Sequence, residues 1–568
     1  MTNIFFLVFR RMRMPLIVLV AVYSVATLGM TLIPGITPDG ETWHMSFFHA
    51  FYFVSFMGTT IGFGEIPYEF TEMQRSWVLV CIYTSVISWL YGIGSLLRLV
   101  QDDAFLHAVA WRRFQKSINK LSSPFYIICG YGETGEMINK GLCNLGIQTV
   151  IVDSDKDRIA SLELNNFSTN PIALAADITD PDTLTLAGIN HSDCAGVITV
   201  INNDHINLQV AVASKLINES IKVISRSEIE DEAKNMDSFG TDLIINPYLI
   251  FAQRLKMLAT KPVLFQIQNW FINQYSNEGI ASEVEKTGLP SSHWIICGYG
   301  RFGKAIHAAI EDTVDKVTIV TPDPIASRAP DGSIVGRGTE AETLSEAGIA
   351  SADVIIAASE DDANNLSVVM TARQLNSGVF TVARSSKEAN RTLFQHANCH
   401  YTLRRSLVVA NEALTAISRP LVTKFIRFSS SLTEEEVAKL ASDIEALSGT
   451  KEPVTWRLIV DHQNSHDLCR FLENGSSVTL NNLSKNSKIP RGECIPLLLL
   501  RNGVSTVLPN LTTEIEVNDQ ILFCGPRGST LLPQQLQHNR ELLDSLINNN
   551  NHYIPLLRWL KRRKKIDF

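Results

Sequence analysis

Met14 to Ile33 is a run of twenty residues without a charge, and Ser76 to Leu97, bounded by Arg75 and Arg98, is a second of twenty-two. At 1.5 Å per helical residue each reaches about 30 Å, the thickness of a bilayer's hydrocarbon core. Both are predicted as spanning helices. A helix of a soluble core is normally shorter, and the first run lacks the small-residue cleavage site of a signal peptide. Between them, Trp43 to Met57 is apolar and aromatic but only fifteen residues long, and it runs into a glycine-rich turn. That length spans poorly. Non-helical backbone at membrane depth survives only where protein buries it or water lines it, so this stretch is predicted as a re-entrant helix.

After residue 120 the pattern changes and repeats itself. Tyr126-Ile-Ile-Cys-Gly-Tyr-Gly-Glu-Thr-Gly135 recurs as Trp294-Ile-Ile-Cys-Gly-Tyr-Gly-Arg-Phe-Gly303. Leu184-Thr-Leu-Ala-Gly-Ile189 recurs as Leu344-Ser-Glu-Ala-Gly-Ile349, and Arg226-Ser227 as Arg384-Ser385, in the same order. This is a duplicated domain. Each copy opens with an apolar strand, then a GxGxxG loop, then a helical pattern (Glu136 to Leu145; Lys304 to Ile310) and a second strand (Thr149 to Val152; Val317 to Val320). That is a Rossmann βαβ unit, with glycines for the tight turn and a helix N-terminus for an anion. Phe251 to Tyr275 is predicted as two crossover helices, Leu432 to Leu447 as an amphipathic helix, and Trp456 to Gly525 as short strands and turns.

The predicted architecture is a membrane α-helical module, two spans plus the re-entrant helix, fused to two α/β Rossmann-like domains and a small α+β C-terminal lobe. Its boundaries are 1–101 for the membrane part, 102–121 for a linker and 122–247 for the first Rossmann domain. The crossover helices then occupy 248–290, the second Rossmann domain 291–420, and the lobe and tail 421–568.

Composition sharpens this division. The 568 residues are 45% hydrophobic and 19% charged, less charged than the quarter or so usual in soluble chains, with a mean hydropathy of +0.07. That value averages an apolar membrane module with ordinary α/β domains. The net charge of −8 argues against nucleic acid as the main partner. Nine scattered cysteines with no CxxC suggest neither a disulfide framework nor zinc, and point to a reducing compartment. Cys129 and Cys297 occupy equivalent strands and are expected in the core. Arg10, Arg11 and Arg13 precede the first span, and Arg98, Arg112, Arg113, Lys116 and Lys120 follow the second. The segment between is acidic, with Asp39, Glu41, Glu65, Glu69 and Glu72. The positive-inside bias puts both termini in the cytoplasm of a multi-pass protein of the cell's inner membrane.

The turn between the two spans reads Thr59-Thr60-Ile61-Gly62-Phe63-Gly64-Glu65-Ile66-Pro67. Alternating glycines let successive carbonyls face one side, and a ring of carbonyls can replace the hydration shell of a monovalent cation. The turn resembles the potassium-channel selectivity filter, commonly Thr-Val-Gly-Tyr-Gly-Asp. Here Ile61 replaces Val, Phe63 replaces Tyr and Glu65 replaces Asp, and Phe56 stands where some members carry a supporting Glu. The resemblance implies that Thr60, Ile61, Gly62, Phe63 and Gly64 hold potassium ions. It also implies a homotetramer in the lipid bilayer, because one loop cannot close a pore. In that family the inner helix often bends at a glycine; Gly92 and Gly94 are the first here, with close helix packing the competing reading.

The glycine loops differ where a ligand would be read. Gly130, Gly132, Glu133, Thr134 and Gly135 form the first; Gly298, Gly300, Arg301 and Gly303 form the second. Asp153 ends the strand after the first loop, where a carboxylate can accept ribose hydroxyls, whereas the same spacing in the second copy gives Thr321. Asp177 in the first copy corresponds to Arg337 in the second, and Arg226 can offset the charge of Glu133. An adenine nucleotide is expected more readily in the first copy. The pair, with Asp177-Ile-Thr-Asp-Pro-Asp-Thr-Leu184 and Ser359-Glu-Asp-Asp-Ala-Asn-Asn-Leu366, resembles the domains that regulate potassium conductance (RCK), found also in Trk-type uptake systems. That resemblance implies a gating ring of eight such domains, NAD or ADP/ATP as regulatory ligand, and calcium as a further candidate. Glu228 and Asp231 are weak metal candidates within an acidic patch, beside the plainer reading of a solvated face. The basic run Leu560 to Lys565 is either a lipid contact or a solvated helix end.

Three functions are weighed. A ligand-gated potassium channel fits the single filter loop. A membrane-anchored nucleotide-sensing component of a potassium uptake system is the alternative. A tethered dehydrogenase would need a catalytic His or Cys constellation, and none is apparent, so no enzymatic activity is expected.

Overall fold

Helix α1 (Ile4–Leu32) and helix α3 (Glu72–Val100) dominate the N-terminal part of the chain in a computed structural model that describes residues 4–272, 288–449, 453–484, 493–526 and Ser529. Within them, Val8–Leu32 and Glu72–Val100 are long and apolar enough to cross a membrane. The two pack side by side, and a twelve-residue helix α2 (Phe47–Gly58) lies against both. Small residues permit this. A Cβ on Gly29 would strike the Trp77 ring at 2.1 Å, and one on Gly58 would strike the Tyr23 hydroxyl at 2.4 Å. Ala26, Met30, Phe53, Val54, Phe56, Phe70 and Cys81 fill the contact. Trp43, expected inside the short helix, instead sits in a two-residue ladder, β1 (Gly35–Ile36) with β2 (Thr42–Trp43). The helix starts later because Ser46 caps it, accepting a bond from the His49 backbone amide. Helix α4 (Asp103–Ile118) completes this unit, which ends at Ser122.

The larger unit begins at Ser123 and holds both repeats. In the first copy β3 (Phe125–Cys129) leads through a glycine loop into α5 (Glu133–Asn144) and β4 (Gln148–Asp153). Then come α6 (Lys156–Ser161), β5 (Ile172–Ala175), α7 (Pro181–Leu186), β6 (Cys194–Thr199), α8 (Asp204–Ile217), β7 (Lys222–Arg226), α9 (Glu230–Ser238) and β8 (Leu243–Ile245). Two helices, α10 (Pro247–Thr260) and α11 (Pro262–Ile272), follow. The second copy runs from β9 (His293–Cys297) through α12 (Arg301–Ile310), β10 (Lys316–Thr321), β11 (Ile334–Val335), α13 (Ala341–Glu346) and β12 (Val354–Ala357) to α14 (Asp362–Leu375), β13 (Phe380–Ser385) and β14 (Tyr401–Arg404). Each copy is a six-stranded sheet, ordered β5-β4-β3-β6-β7-β8 and β11-β10-β9-β12-β13-β14. The central strands are parallel and buried on both faces, as their unbroken apolar runs require. Strand order reverses beside β3 and beside β9, which opens a crevice at the carboxyl end of each sheet.

The helices after each sheet cross over. Helix α10 packs on α12 of the second copy, burying Tyr248, Phe251, Leu255 and Leu258 against Trp294, Phe302 and Ile306. Helix α15 (Arg405–Ser418), which follows the second copy, packs on α5 of the first. A Cβ on Gly141 would lie 2.4 Å from Leu414. Each large apolar side chain buried this way contributes about 1.5–3 kcal/mol, so the two copies are tied by a reciprocal apolar exchange. Helix α11 with α16 (Pro420–Ser429) and α17 (Glu434–Ser448) then covers an antiparallel sheet. Its strands are β15 (Val454–Ile459), β16 (Ile495–Arg501), β17 (Val504–Val507) and β18 (Gln520–Gly525), in the order β15-β18-β16-β17.

Several boundaries move from their sequence-based positions for local reasons. Helix α10 starts at Pro247, not Phe251, because Asn246 caps it and proline suits a first helical position. Helices α5 and α12 start inside the glycine loops, three residues before the apolar periodicity, because first-turn amides need no intrahelical partner. Residues 273–275 of the crossover stretch and the basic run Leu560 to Lys565 lie outside the described residues.

The loop glycines have separate duties. Gly130 and Gly298 adopt φ of +98° and +103°, a region that favours glycine. A Cβ on Gly135 or Gly303 would fall 2.0 or 2.1 Å from the carbonyl oxygen of the first glycine in its own loop. Gly132 and Gly300 meet neither constraint: their φ is −80° and −82°, and a Cβ would meet only Arg158 at 3.8 Å or nothing. Gly135→Ala is therefore expected to destabilise the chain by about 1–3 kcal/mol, as overpacking does. Gly132→Ala should leave stability within about 0.5 kcal/mol, the range of unconstrained sites. Thermal unfolding of the solubilised protein checks both; equal losses would refute the division of roles.

Candidate functional site

Strands β3, β4, β5 and β7 bring the residues singled out in the first copy to one edge of the sheet. Gly130 leaves β3, Asp153 ends β4, Asp177 follows β5 and Arg226 ends β7. Thr134 is buried in the first turn of α5. The Ala176 amide donates to the Asp153 carbonyl at 3.0 Å, which sets the two acidic positions side by side. The Asp153 carboxylate is buried and already engaged: Oδ2 accepts from the Tyr131 amide at 2.5 Å, and Oδ1 from the Asp155 amide at 2.8 Å. It therefore shapes the glycine loop from below. Asp177 is exposed, and bonds from the Thr179 amide (2.9 Å) and hydroxyl (2.8 Å) hold its carboxyl below the usual carboxylate range.

Arg158 escaped the sequence reading. It stands on α6 with Nη1 3.6 Å from Asp153 and Nε 3.3 Å from Asp155, close to the open side of Gly132. Its chemistry suits a phosphate above the loop. No motif marks it, because only the fold of α6 over the loop brings it there. Asn207 and Asn365 were missed too, and comparing the two copies would have found them. In the first copy Asn207 Oδ1 accepts from the Ile201 amide (3.0 Å), and its Nδ2 donates to the carbonyls of Ile201 (2.8 Å) and Arg226 (3.1 Å). Asn365 repeats this with the Ser359 amide (2.9 Å), the Ser359 carbonyl (3.0 Å) and the Arg384 carbonyl (2.9 Å). Each amide pins the ends of two strands where the crevice opens.

The fourth residue of each glycine loop turns toward the opposite copy. Glu133 Oε1 accepts from the Glu388 amide (3.0 Å) and Oε2 from the Ser406 hydroxyl (2.7 Å). Its charge is thus tied to the second copy. Arg301 sends Nη1 to Glu228 Oε2 at 3.1 Å. Glu228 Oε1 also binds Arg226 and, at 2.9 Å, Arg405 Nη1. The Glu228 side chain is 2% exposed. Burial alone would push its carboxyl up, but Arg226, Arg405 and Arg301 together outweigh burial and hold it below its ordinary range. Arg226, expected to offset Glu133, is spent on Glu228 and Asn202 instead.

The acidic patch does not converge on a cation. Glu228 is buried among arginines, while Asp231 is exposed on α9, and no cluster of three or more His, Cys, Asp or Glu able to hold a metal occurs among the described residues. Asp155 caps α6, accepting from the Asp157 and Arg158 amides. Cys129 and Cys297 lie in the sheets; burial pushes the Cys297 thiol up to about 12 and raises that of Cys129 as well, so both are core thiols rather than nucleophiles.

In the N-terminal unit the turn after α2 alternates in backbone hand. Thr60, Gly62 and Gly64 have φ of +63°, +65° and +97°. A Cβ on Gly62 or Gly64 would meet no atom within 4 Å, so the backbone conformation, not space, calls for glycine. The Ile61 amide donates to the Phe56 carbonyl at 2.9 Å, and Phe63 sets its ring edge-on to Phe56 at 5.4 Å. Glu65 ties the far side of the turn to α3. It pairs with Arg75 at 2.9 and 3.2 Å and accepts from the Phe70 amide at 2.7 Å.

Comparison with known proteins is informative once this geometry is in view. The TrkA-N domain family matches residues 126–247 and again 294–404. "Potassium channel protein 1" of Methanocaldococcus jannaschii is 27% identical over 222 residues, which are 39% of this chain and 64% of that protein. "Probable potassium channel protein 2" of the same organism is 22% identical over 235 residues, 41% of this chain and 67% of that protein. The match thus spans about two thirds of the length of these curated relatives. Among solved structures, the "GsuK channel bound to NAD" aligns with 94% of this chain and 99% of its own at 14% identity, with a TM-score of 0.46. The two glycine-loop sheets each match the TrkA-N model, so the chain carries two TrkA-N (RCK) domains in tandem.

Proposed function

We propose that the chain is a subunit of a potassium-selective channel gated by a cytoplasmic adenine or nicotinamide nucleotide. The observation that carries the pore half is the alternation of left-handed backbone at Thr60, Gly62 and Gly64, between a short helix and a membrane-length helix. That conformation turns carbonyls of Thr60 to Gly64 toward one side, where they replace potassium's water shell. Curated relatives bearing the name potassium channel support the same reading. Four copies are required to surround an axis. Phe47, Phe48, Tyr83, Ile87 and Leu90 are exposed on α2 and α3 of the single chain, which suits contact with lipid and neighbouring copies. Eight TrkA-N domains then form a cytoplasmic ring, with both termini on that side.

The first copy is the nucleotide site in this reading. Asp153 faces the ribose, the α5 N-terminus faces the phosphates, and Arg158 adds a cation on the open side of Gly132. A nucleotide that binds one ring conformation better than another shifts the population, and α4 carries the change to α3. No bond is made or broken; the work is binding energy turned into gate position.

Two measurements test this. Gly62→Ala forces a side chain into the left-handed region, which costs an L-residue about 1–2 kcal/mol at each affected position, and should abolish potassium selectivity of currents from the reconstituted protein. A selective current from that variant would sink the filter assignment. Asp153→Lys should weaken the current's response to NAD or ADP in inside-out recording at least tenfold while leaving the potassium-over-sodium ratio unchanged. An unaltered nucleotide response would reject the first-copy site.

A further inference from the structure

The two copies share the glycine turn, the strand-end asparagine and a buried arginine, and beyond Asp153 against Thr321 and Asp177 against Arg337 they differ in two further charged positions. Asp204 Oδ2 accepts from the Glu228 amide (2.7 Å), and Asp362 Oδ1 accepts from the Ser386 amide (2.7 Å). Arg226 and Arg384 end equivalent strands, and both are buried. By this correspondence Glu228 in the first copy stands where Ser386 stands in the second. The fourth loop residue is likewise Glu133 in the first copy and Arg301 in the second. The contact between the copies is therefore lopsided. On one diagonal a buried carboxylate from the first copy holds the guanidinium of the second glycine loop. On the other, Glu133 is held by a backbone amide and a hydroxyl, and no arginine of the second copy takes it among the described ion pairs.

Arg301 is the one charged residue in the loop Gly298-Tyr-Gly-Arg-Phe-Gly303, so it is the loop's means of attracting phosphate. Its partner is not a passing surface contact. Glu228 is 2% exposed and is held at the same time by Arg226 and Arg405. Arg405 also donates to the Tyr248 hydroxyl at 3.4 Å, and the Arg384 guanidinium lies 5.4 Å from the centre of the Tyr248 ring. The exposed Glu360 also approaches Arg384 Nη1 at 3.6 Å and Arg301 Nη2 at 3.9 Å, yet Arg226 Nε and Arg384 Nε are buried with no hydrogen-bond partner, so the cluster holds more donor capacity than the two carboxylates consume. Such a site is built for an anion with more oxygens than a carboxylate has, and a carboxylate is filling it.

We propose that Glu228 is an internal competitor for phosphate: by holding Arg301 and Arg405 it keeps nucleoside polyphosphates out of the second glycine loop and leaves the first copy as the nucleotide site. The inference rests on the nucleotide reading of the first copy and adds a charged residue to the difference already set by Asp153 against Thr321. In the first loop Glu133 is drawn to the Glu388 amide and the Ser406 hydroxyl, and Arg158 stays beside Asp153 and Asp155 of its own copy, so no carboxylate of the other copy holds its cation. Exchange of Glu228 for a phosphate would also release Arg405 at the start of α15, the helix that packs on the first copy.

The test is ADP binding to the full-length solubilised protein, read by calorimetric stoichiometry and by hydrogen exchange of the two loops. The wild-type chain is expected to bind a single ADP, with protection of residues 130–136 and none of residues 298–304. Glu228→Gln keeps the shape and removes the charge; it should bind two ADP and protect both loops. Adding Arg301→Gln to that variant should return it to one. Two ADP per wild-type chain, or protection of both wild-type loops, overturns the proposal even if Glu228→Gln fails to fold. A folded Glu228→Gln protein with one ADP and an unprotected second loop overturns it as well. If the wild-type chain binds no ADP, the first-copy reading has failed on its own; gain of binding at residues 298–304 in Glu228→Gln then still upholds the competitor, and no gain refutes it.

Discussion

The reciprocal burial of α10 on the second copy and α15 on the first is the contact on which the rest of the cytoplasmic structure depends. Each helix leaves its own sheet and spends its apolar face on the other, with Phe251 and Leu255 against Phe302 on one side and Leu414 against Gly141 on the other. Neither copy can bury that surface alone. The exchange also fixes where the glycine loops point, because α10 and α15 begin directly after the last strand of each sheet and pack on the helices that those loops open. Two anion-seeking helix N-termini are thereby brought to a common interface.

Electrostatics at that interface follows from the packing. A carboxylate as deeply buried as Glu228 is tolerated only where opposite charges and hydrogen bonds replace its lost water. Three arginines supply them, two from the second copy. The same arrangement makes the interface responsive to anions, since a phosphate competes for the same guanidinium groups. A ligand that enters one crevice thus changes the terms on which the copies hold each other, which is what a regulator that acts by shape rather than by chemistry requires.

The N-terminal unit obeys a different constraint. Its turn relies on backbone hand, with glycine at two of three left-handed positions and Thr60 carrying the third at φ +63°. That strain is held by the neighbouring helix through the Phe56 carbonyl and by the Glu65–Arg75 pair across the turn. Sequence pattern alone locates the turn between two apolar runs, but the bracing of Glu65 appears only when α3 returns beside it.

What could be read from the sequence was whatever is local or repeated. Uninterrupted apolar runs mark the two membrane-length helices, alternating glycines mark the turn, and the recurrence of Gly-Tyr-Gly with its flanking strand marks two Rossmann units. These signals survive because backbone hand, helix length and strand burial are set by neighbours in the chain. The tertiary structure decided the rest. Arg158 over Gly132 and the twin amides Asn207 and Asn365 join residues well separated in sequence, and Arg226 pairs with its near neighbour Glu228 because Glu133 is taken by Glu388 and Ser406 of the second copy. The acidic patch shows the difference most plainly. Glu228 and Asp231 read alike along the chain, yet one is buried among arginines and the other faces water, because Glu228 sits in the turn just after β7 and Asp231 in the first turn of α9. A charge's partner is chosen by which surfaces are packed together, and only the fold packs them.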